Sequence, residues 1–253
     1  MKLIDLNIWG GKIHQPLLEF LKLQMKDTDV FCFQEVYNSG VRLDLHGEIV
    51  ADIYKQIAHV LEDHTGFYSE AVLTEEDGFL LPYGTALFVR KSIPILRQKT
   101  FEIFSPSDEP RLGIKEGFHL WNRLLQTVTI PFGDRELTVF NFHGLYTGWG
   151  KDDQPSRFEQ SEKVRTIMKG MSGEKILCGD FNLNPETQSI KILEEGMRNL
   201  VKDYNITSTR SHYYAKETKF ADYVLITDGI HIHKFVALDN VVSDHLPLLL
   251  IIE

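Results

Sequence analysis

The chain predicts an α/β protein made of two packed sheets with helices on the outside. Three observations carry that expectation. Strand-like runs are numerous, helical periodicities are few, and the two do not alternate strictly, which disfavours a parallel Rossmann-type sheet or a closed (β/α) barrel. With 43% apolar and 25% charged residues over 253 positions, there is ample material for a core. No low-complexity stretch or internal repeat divides it, so one domain over residues 1–253 is expected.

Residues 2–8 alternate and read as a strand, and Leu17, Leu18, Leu21 and Met25 fall at helical spacing over 14–26. Val30-Phe31-Cys32-Phe33 is a fully buried strand that ends at Gln34-Glu35. Ile53, Ile57, Ala58 and Leu61 mark a helix over 50–62, and strands follow at 67–73, 84–90 and 95–103. The Pro-, Gly- and charge-rich stretch 105–117 reads as a loop. Strands 122–130 and 136–142 flank a hairpin turn, Pro-Phe-Gly-Asp. Pro155 opens a helix carrying Phe158, Val164, Ile167 and Met168. A strand over 175–178 runs into Gly179-Asp180-Phe181-Asn182, a helix carries Ile190, Leu193 and Met197, and strands are expected at 222–226, 231–237 and 246–252.

A balance of 27 Lys and Arg against 36 Asp and Glu gives −9, which argues against nonspecific gripping of duplex nucleic acid through a basic face. It leaves open binding through a metal site, where the ion supplies positive charge. Cys32 and Cys178 both sit in apolar runs and read as core thiols of a reducing compartment, with a bridge between them left open. The first residues do not read as a signal peptide and no apolar run is long enough to span a bilayer, so a cytoplasmic location without membrane insertion is expected. No protein partner is inferable.

The chemistry concentrates at strand ends. Asn7, Glu35, His143, Asp180, Asn182 and His245 stand at or just past them, where rigid strands position side chains that stay accessible. Asp180 and Asn182, two apart, are expected to project the same way from an extended backbone. Each residue alone has a plainer reading. Glu35 could be an ordinary strand-end charge, Asp180 and Asn182 a turn, Asp222 a strand start, His143 a structural histidine, Asn7 a loop cap, and Asp244-His245 a surface turn.

Taken in order, Asn7, Gln34-Glu35, Asn141-Phe142-His143, Gly179-Asp180-Phe181-Asn182, Asp222-Tyr223 and Ser243-Asp244-His245-Leu246-Pro247 resemble the motif set of the endonuclease/exonuclease/phosphatase superfamily. The resemblance implies a DNase I-like four-layer α/β sandwich, two mostly antiparallel sheets flanked by helices. It also implies phosphoester hydrolysis with Mg²⁺, for which Mn²⁺ can substitute. On it, Glu35 and Asn7 hold the metal and Asp244 lies near a second metal position. Asp180 orients or deprotonates water, Asn182 holds water or a phosphate oxygen, His245 donates to phosphate with Asp222 orienting its ring, and His143 is a second histidine against the phosphate. Gly144 departs from the pattern at a position where leucine is common.

Arg123, Arg157, Arg210, Trp149 and Tyr146 are candidate substrate contacts, the aromatics by stacking on a base or sugar. His231 and His233 lack partners for a zinc set and read as structural. The leading expectation is an endo- or exonuclease-like phosphodiesterase. The alternatives are a phosphoesterase for small or lipid-derived substrates (phosphoinositide, sphingomyelin-like, nucleotide) and a catalytically inactive binding module. No exposed apolar hairpin is legible that would favour the lipid case.

Overall fold

Two six-stranded sheets face each other in the computed structural model, which describes residues 1–40, 49–105, 121–148 and 150–253. The strands are Lys2–Asn7 (β1), Val30–Tyr37 (β2), His64–Glu76 (β3), Phe79–Arg90 (β4), Arg97–Phe104 (β5), Arg123–Phe132 (β6), Arg135–His143 (β7), Glu174–Asp180 (β8), Arg198–Asn199 (β9), Asp222–Ile226 (β10), Ile232–Ala237 (β11) and Leu248–Ile252 (β12). The helices are His14–Gln24 (α1), Ile53–Val60 (α2), Pro155–Lys169 (α3), Gln188–Leu193 (α4) and Leu200–Asp203 (α5). One sheet runs β11-β12-β1-β2-β4-β3, the other β5-β6-β7-β8-β10-β9. Each has a single parallel pair, β1 with β2 and β7 with β8, and each pair is joined through a helix, α1 and α3. A parallel pair needs such a crossover, which accounts for the helices lying outside the sheets.

The central strands are buried on both faces, so their sequences run apolar without alternation. Leu3, Val30, Cys32, Leu87 and Val89 pack with the second sheet's core, while Ile4, Leu6, Phe31 and Phe33 pack outward against Leu17 and Leu21 of α1 and Ile53 and Ile57 of α2. Fully burying side chains such as Phe31 and Phe33 contributes roughly 1.5–3 kcal/mol each. Cys32 and Cys178 are buried free thiols.

A polar seam crosses the inter-sheet core beneath the strand ends. The β2/β4 register breaks between Phe33 and Val36. Asn141 of β7 closes that break by donating to the carbonyls of Phe33 (3.1 Å) and Ala86 (3.0 Å). Gln34 Nε2 donates to Asn141 Oδ1 at 2.7 Å and to Asp5 Oδ1 at 2.9 Å. Burial, reinforced by Asp222, pushes the Asp5 carboxyl well above its usual range. The seam spans both sheets and fixes their relative register directly below the site.

The expected strands and larger helices are present, with β3 and β4 longer than their apolar runs suggest because they form one extended hairpin. Its far end exposes Leu73, Phe79 and Leu80, an apolar hairpin tip that the alternating sequence concealed; Glu75, Glu76 and Asp77 flank it with negative charge. Met197 falls beyond α4, and β9 and α5 are too short to show periodicity. Most of the expected loop at 105–117, and Trp149, lie outside the described residues. Among those described, no helix is long and apolar enough to cross a membrane.

Candidate active site

The strand ends of both sheets converge on one pocket of about 240 Å³. Glu35 enters it because β2 kinks there: the residue sits at φ 58°, a left-handed conformation inside a strand. Asp180 ends β8 opposite Asp222, its register partner on β10. Asn7, at the end of β1, links the acids: its Nδ2 donates to Glu35 Oε1 at 3.0 Å and to Asp180 Oδ2 at 3.1 Å. Its Oδ1 accepts from Trp9 N at 3.0 Å.

Asp180 and Asn182 do not share a strand face as their spacing suggested. β8 stops at Asp180, and Asn182 lies at φ 53° in the turn beyond. The turn itself is functional in shape, since Asp180 Oδ1 accepts from Asn182 N at 2.8 Å and Asn182 Nδ2 donates to Gly144 O at 3.2 Å. Two glycines allow it. A Cβ on Gly179, at φ 137°, would stand 1.9 Å from Phe142 O, and one on Gly144 would stand 2.1 Å from Phe181 O. Gly144 thus replaces a side chain with backbone contact between the β7 and β8 ends.

The two histidines are driven apart in protonation. His245 Nδ1 donates to Asp222 Oδ1 at 2.7 Å, and its Nε2 lies 3.7 Å from both Asp180 Oδ2 and Asp244 Oδ1. Burial disfavours the imidazolium, but the anions of Asp222 and Asp180 outweigh it and raise the His245 pKa. Burial together with Arg123 pushes His143 down to about 3, so it is neutral. Arg123 Nη1 faces His143 Nδ1 at 3.5 Å, which leaves the proton on Nε2. Burial would raise Asp180, yet His245, Arg210 and Lys151 hold it well below the usual carboxylate range.

Arg210 Nη1 contacts His245 Nε2 and pairs with Asp244 Oδ2 at 3.0 Å. In that contact the guanidinium donates and Nε2 accepts; with the ring protonated both become donors, and one anion lying alongside can accept from the two. Asp244 is therefore tied to Arg210 in this arrangement. Arg123, Arg210 and Tyr146, candidate substrate contacts from the sequence, line the pocket. Arg157 does not. It is buried and donates to the carbonyls of Leu145, Asp152 and Gly150, bracing the loop after β7.

Sequence reasoning missed Lys151, Lys216, Tyr83 and Trp121 as pocket residues. Lys151 carried a signal in the Gly-rich loop it ends, whereas Tyr83 and Trp121 come from distant segments with no local mark. Tyr214, four residues past Arg210, also lines the pocket. His231 and His233 lie elsewhere, exposed beside Glu253.

Glu35, His143 and Asp180 bring their ligand atoms within 4.8 Å of one another, as do Asp180, Asp222 and His245. Buried carboxylates this close repel, and burial raises Glu35 with Asp244 and Asp180 adding to it. Oxygen-rich donors of net negative charge fit a hard divalent cation such as Mg²⁺.

The fold has close relatives in shape. The structure resembles an endonuclease/exonuclease/phosphatase family protein from Leptotrichia buccalis (TM-score 0.73, 17% identity, covering 100% of this chain and 99% of that one). It also resembles mannosyl-6-phosphatase from Bacteroides thetaiotaomicron (0.70, 17%, 100% and 99%) and the human Nocturnin catalytic domain (0.64, 16%, 100% and 93%). A search of curated protein sequences returns no match. The model of the Endonuclease/Exonuclease/phosphatase family matches residues 6–245. Because that span takes in every strand end that feeds the pocket, this chain belongs to the endonuclease/exonuclease/phosphatase family, whose members are phosphoric ester hydrolases.

Proposed function

We propose that this protein is a Mg²⁺-dependent phosphoesterase that hydrolyses a small phosphorylated compound or an unpaired nucleic-acid end by in-line attack of water. The observation that carries the reading is geometric: Glu35, His143 and Asp180 bring their ligand atoms within 4.8 Å of one another, as do Asp180, Asp222 and His245. Clustered carboxylates and histidines at strand ends fit a hard cation with proton-handling groups beside it.

Glu35 and Asn7, with Asp180 alongside, would hold the metal, the Asn7 amide oxygen turning from Trp9 N to do so. A bound Mg²⁺ supplies Lewis acidity at a phosphate oxygen and offsets the clustered carboxylates. The other roles belong to the chain. Asp180, one oxygen fixed by Asn182 N, orients the attacking water and takes up its proton. His245 and Arg210 donate to the same non-bridging oxygen, and Asp222 fixes the ring so that Nε2–H faces the phosphate. His143, beside Glu35 and Asp180, offers Nε2–H to the phosphate. Water oxygen bonds to phosphorus as the ester oxygen leaves with the bonding pair.

Trp9, Tyr83, Trp121, Tyr146 and Tyr214 give the pocket aromatic surfaces on which one sugar or base can lie, and the chain's −9 charge opposes long duplex contacts. Together these favour a small or single-ended substrate. The test is hydrolysis, followed by product analysis, of sugar phosphates, nucleotides, single- and double-stranded DNA and RNA, and sphingomyelin, with Mg²⁺ and with EDTA. Hydrolysis of small or single-stranded substrates that EDTA abolishes supports the reading. Preferential cleavage within duplex, or activity indifferent to EDTA, refutes it.

A further inference from the structure

The pocket holds more positive charge than one phosphate requires. Four cations, Arg123, Lys151, Arg210 and Lys216, line it against three carboxylates on a chain of net −9, so the enrichment is local. Arg210 is neutralised by Asp244, and Arg123 stands with His143. Lys151 and Lys216 form no ion pair among the described residues.

Lys151 is the more telling. It is only 3% exposed, on the Arg210 and Tyr214 side of the pocket. Of its three donor hydrogens one is engaged, to Phe220 O at 2.8 Å, and the ammonium lies 5.3 Å from the Tyr214 ring centre. Burial pushes its ammonium down to about 8 against the pull of Asp180, Asp222 and Asp244, none of which pairs with it directly. Loop charges without a function for it would be expected to turn outward, since a lysine stem can snorkel to water. Lys216, from the facing loop, donates to Tyr146 Oη at 3.2 Å and also reaches the pocket. The scissile phosphate is already served by His245, Arg210 and His143, so neither lysine is needed there.

Resting on the phosphoesterase reading, we infer that the substrate carries a second anionic group, a phosphate or carboxylate besides the scissile phosphate, which Lys151 and Lys216 receive beside Tyr146 and Tyr214. The aromatic rings give the sugar or base between the two anions a surface to lie against. The enzyme is then selective for bis-anionic compounds over simple monoesters.

Calorimetry in EDTA, where turnover is stopped, tests this directly. Two matched pairs are titrated: adenosine 3′,5′-bisphosphate against adenosine 5′-monophosphate, and fructose 1,6-bisphosphate against fructose 6-phosphate. In one pair at least, the bisphosphate binds tenfold or more tightly than its monophosphate, and the pair that shows this tells nucleoside from sugar. Lys151→Met, which keeps the packed stem, and Lys216→Ala, on the exposed loop, each cut that preference severalfold, and together bring it close to one. Equal affinities within both pairs, or a preference that survives both substitutions, overturns the inference. Parallel assays with Mg²⁺ separate the two claims. Hydrolysis without bisphosphate preference refutes the second-anion subsite alone, and a lysine-dependent preference without hydrolysis supports the subsite while refuting the hydrolase.

Discussion

His143 and His245 line the same pocket yet hold their protons under opposite influences. Arg123 and burial keep one neutral, and Asp222 with Asp180 favours the charge on the other. Because the folded pKa of His245 is raised, its donor form is complete below the ordinary value near 6.5 and is lost as pH rises through the higher folded value. Activity therefore falls on an alkaline limb. Asp222→Asn moves that limb to lower pH in a kcat/KM profile; an unmoved limb would show that Asp222 does not govern the ring. Asp180→Asn and His245→Ala each lower kcat roughly 10²–10⁴-fold, checked by initial rates at saturating substrate. The identities of these residues were legible in the sequence, since Gly-Asp-Phe-Asn and Ser-Asp-His are local and ordered. Their environments were not: Arg123 and Arg210 come from distant segments, and only folding sets them against the imidazoles.

At the scale of elements, two backbone devices aim the chemistry. The β2 break turns Glu35 inward, and the Gly179/Gly144 contact brings the ends of β7 and β8 together so that the Asp180 turn can form. Gly144→Ala would drive a Cβ into a carbonyl with no side chain able to yield, so a loss of about 1–3 kcal/mol is expected. In a chain of this length that lowers Tm by several degrees; an unchanged melt would mean the contact is looser than described. The seam below supplies a second check. Asp5 has a raised folded pKa, so its contribution is present below the unfolded value near 3.9 and is lost as pH climbs through the folded one. Asp5→Asn should flatten the decline of Tm with rising pH. Strands and helices were readable from periodicity because both faces of the central strands are apolar. The bulge, the left-handed Asn182 and the extent of the β3/β4 hairpin were not, because pairing across strands decides them and a single chain's alternation does not record it.

For the whole molecule, the balance of charge is the informative quantity. A chain of net −9 gathers cations at one pocket and sets carboxylates at its floor, an arrangement that favours a divalent ion with an anionic substrate. Metal binding to the native state alone stabilises it, by about 2.7 kcal/mol at a hundredfold excess over Kd. Mg²⁺ should accordingly raise Tm in the wild type and do so much less in Glu35→Gln; an equal rise in both would place the ion elsewhere. The sandwich itself was foreseen from the mixture of elements without strict alternation, whereas the inward wall of Lys151, Tyr83 and Trp121 needed the fold. The most direct test of the central claim is hydrolysis in ¹⁸O-labelled water with Mg²⁺, followed by mass analysis of the products. One label in the released phosphate, appearing roughly 10²–10⁴-fold more slowly with Asp180→Asn, is the outcome expected of water attacking phosphorus. Label in the alcohol instead, or label in phosphate that persists at wild-type rate without Asp180, would contradict it.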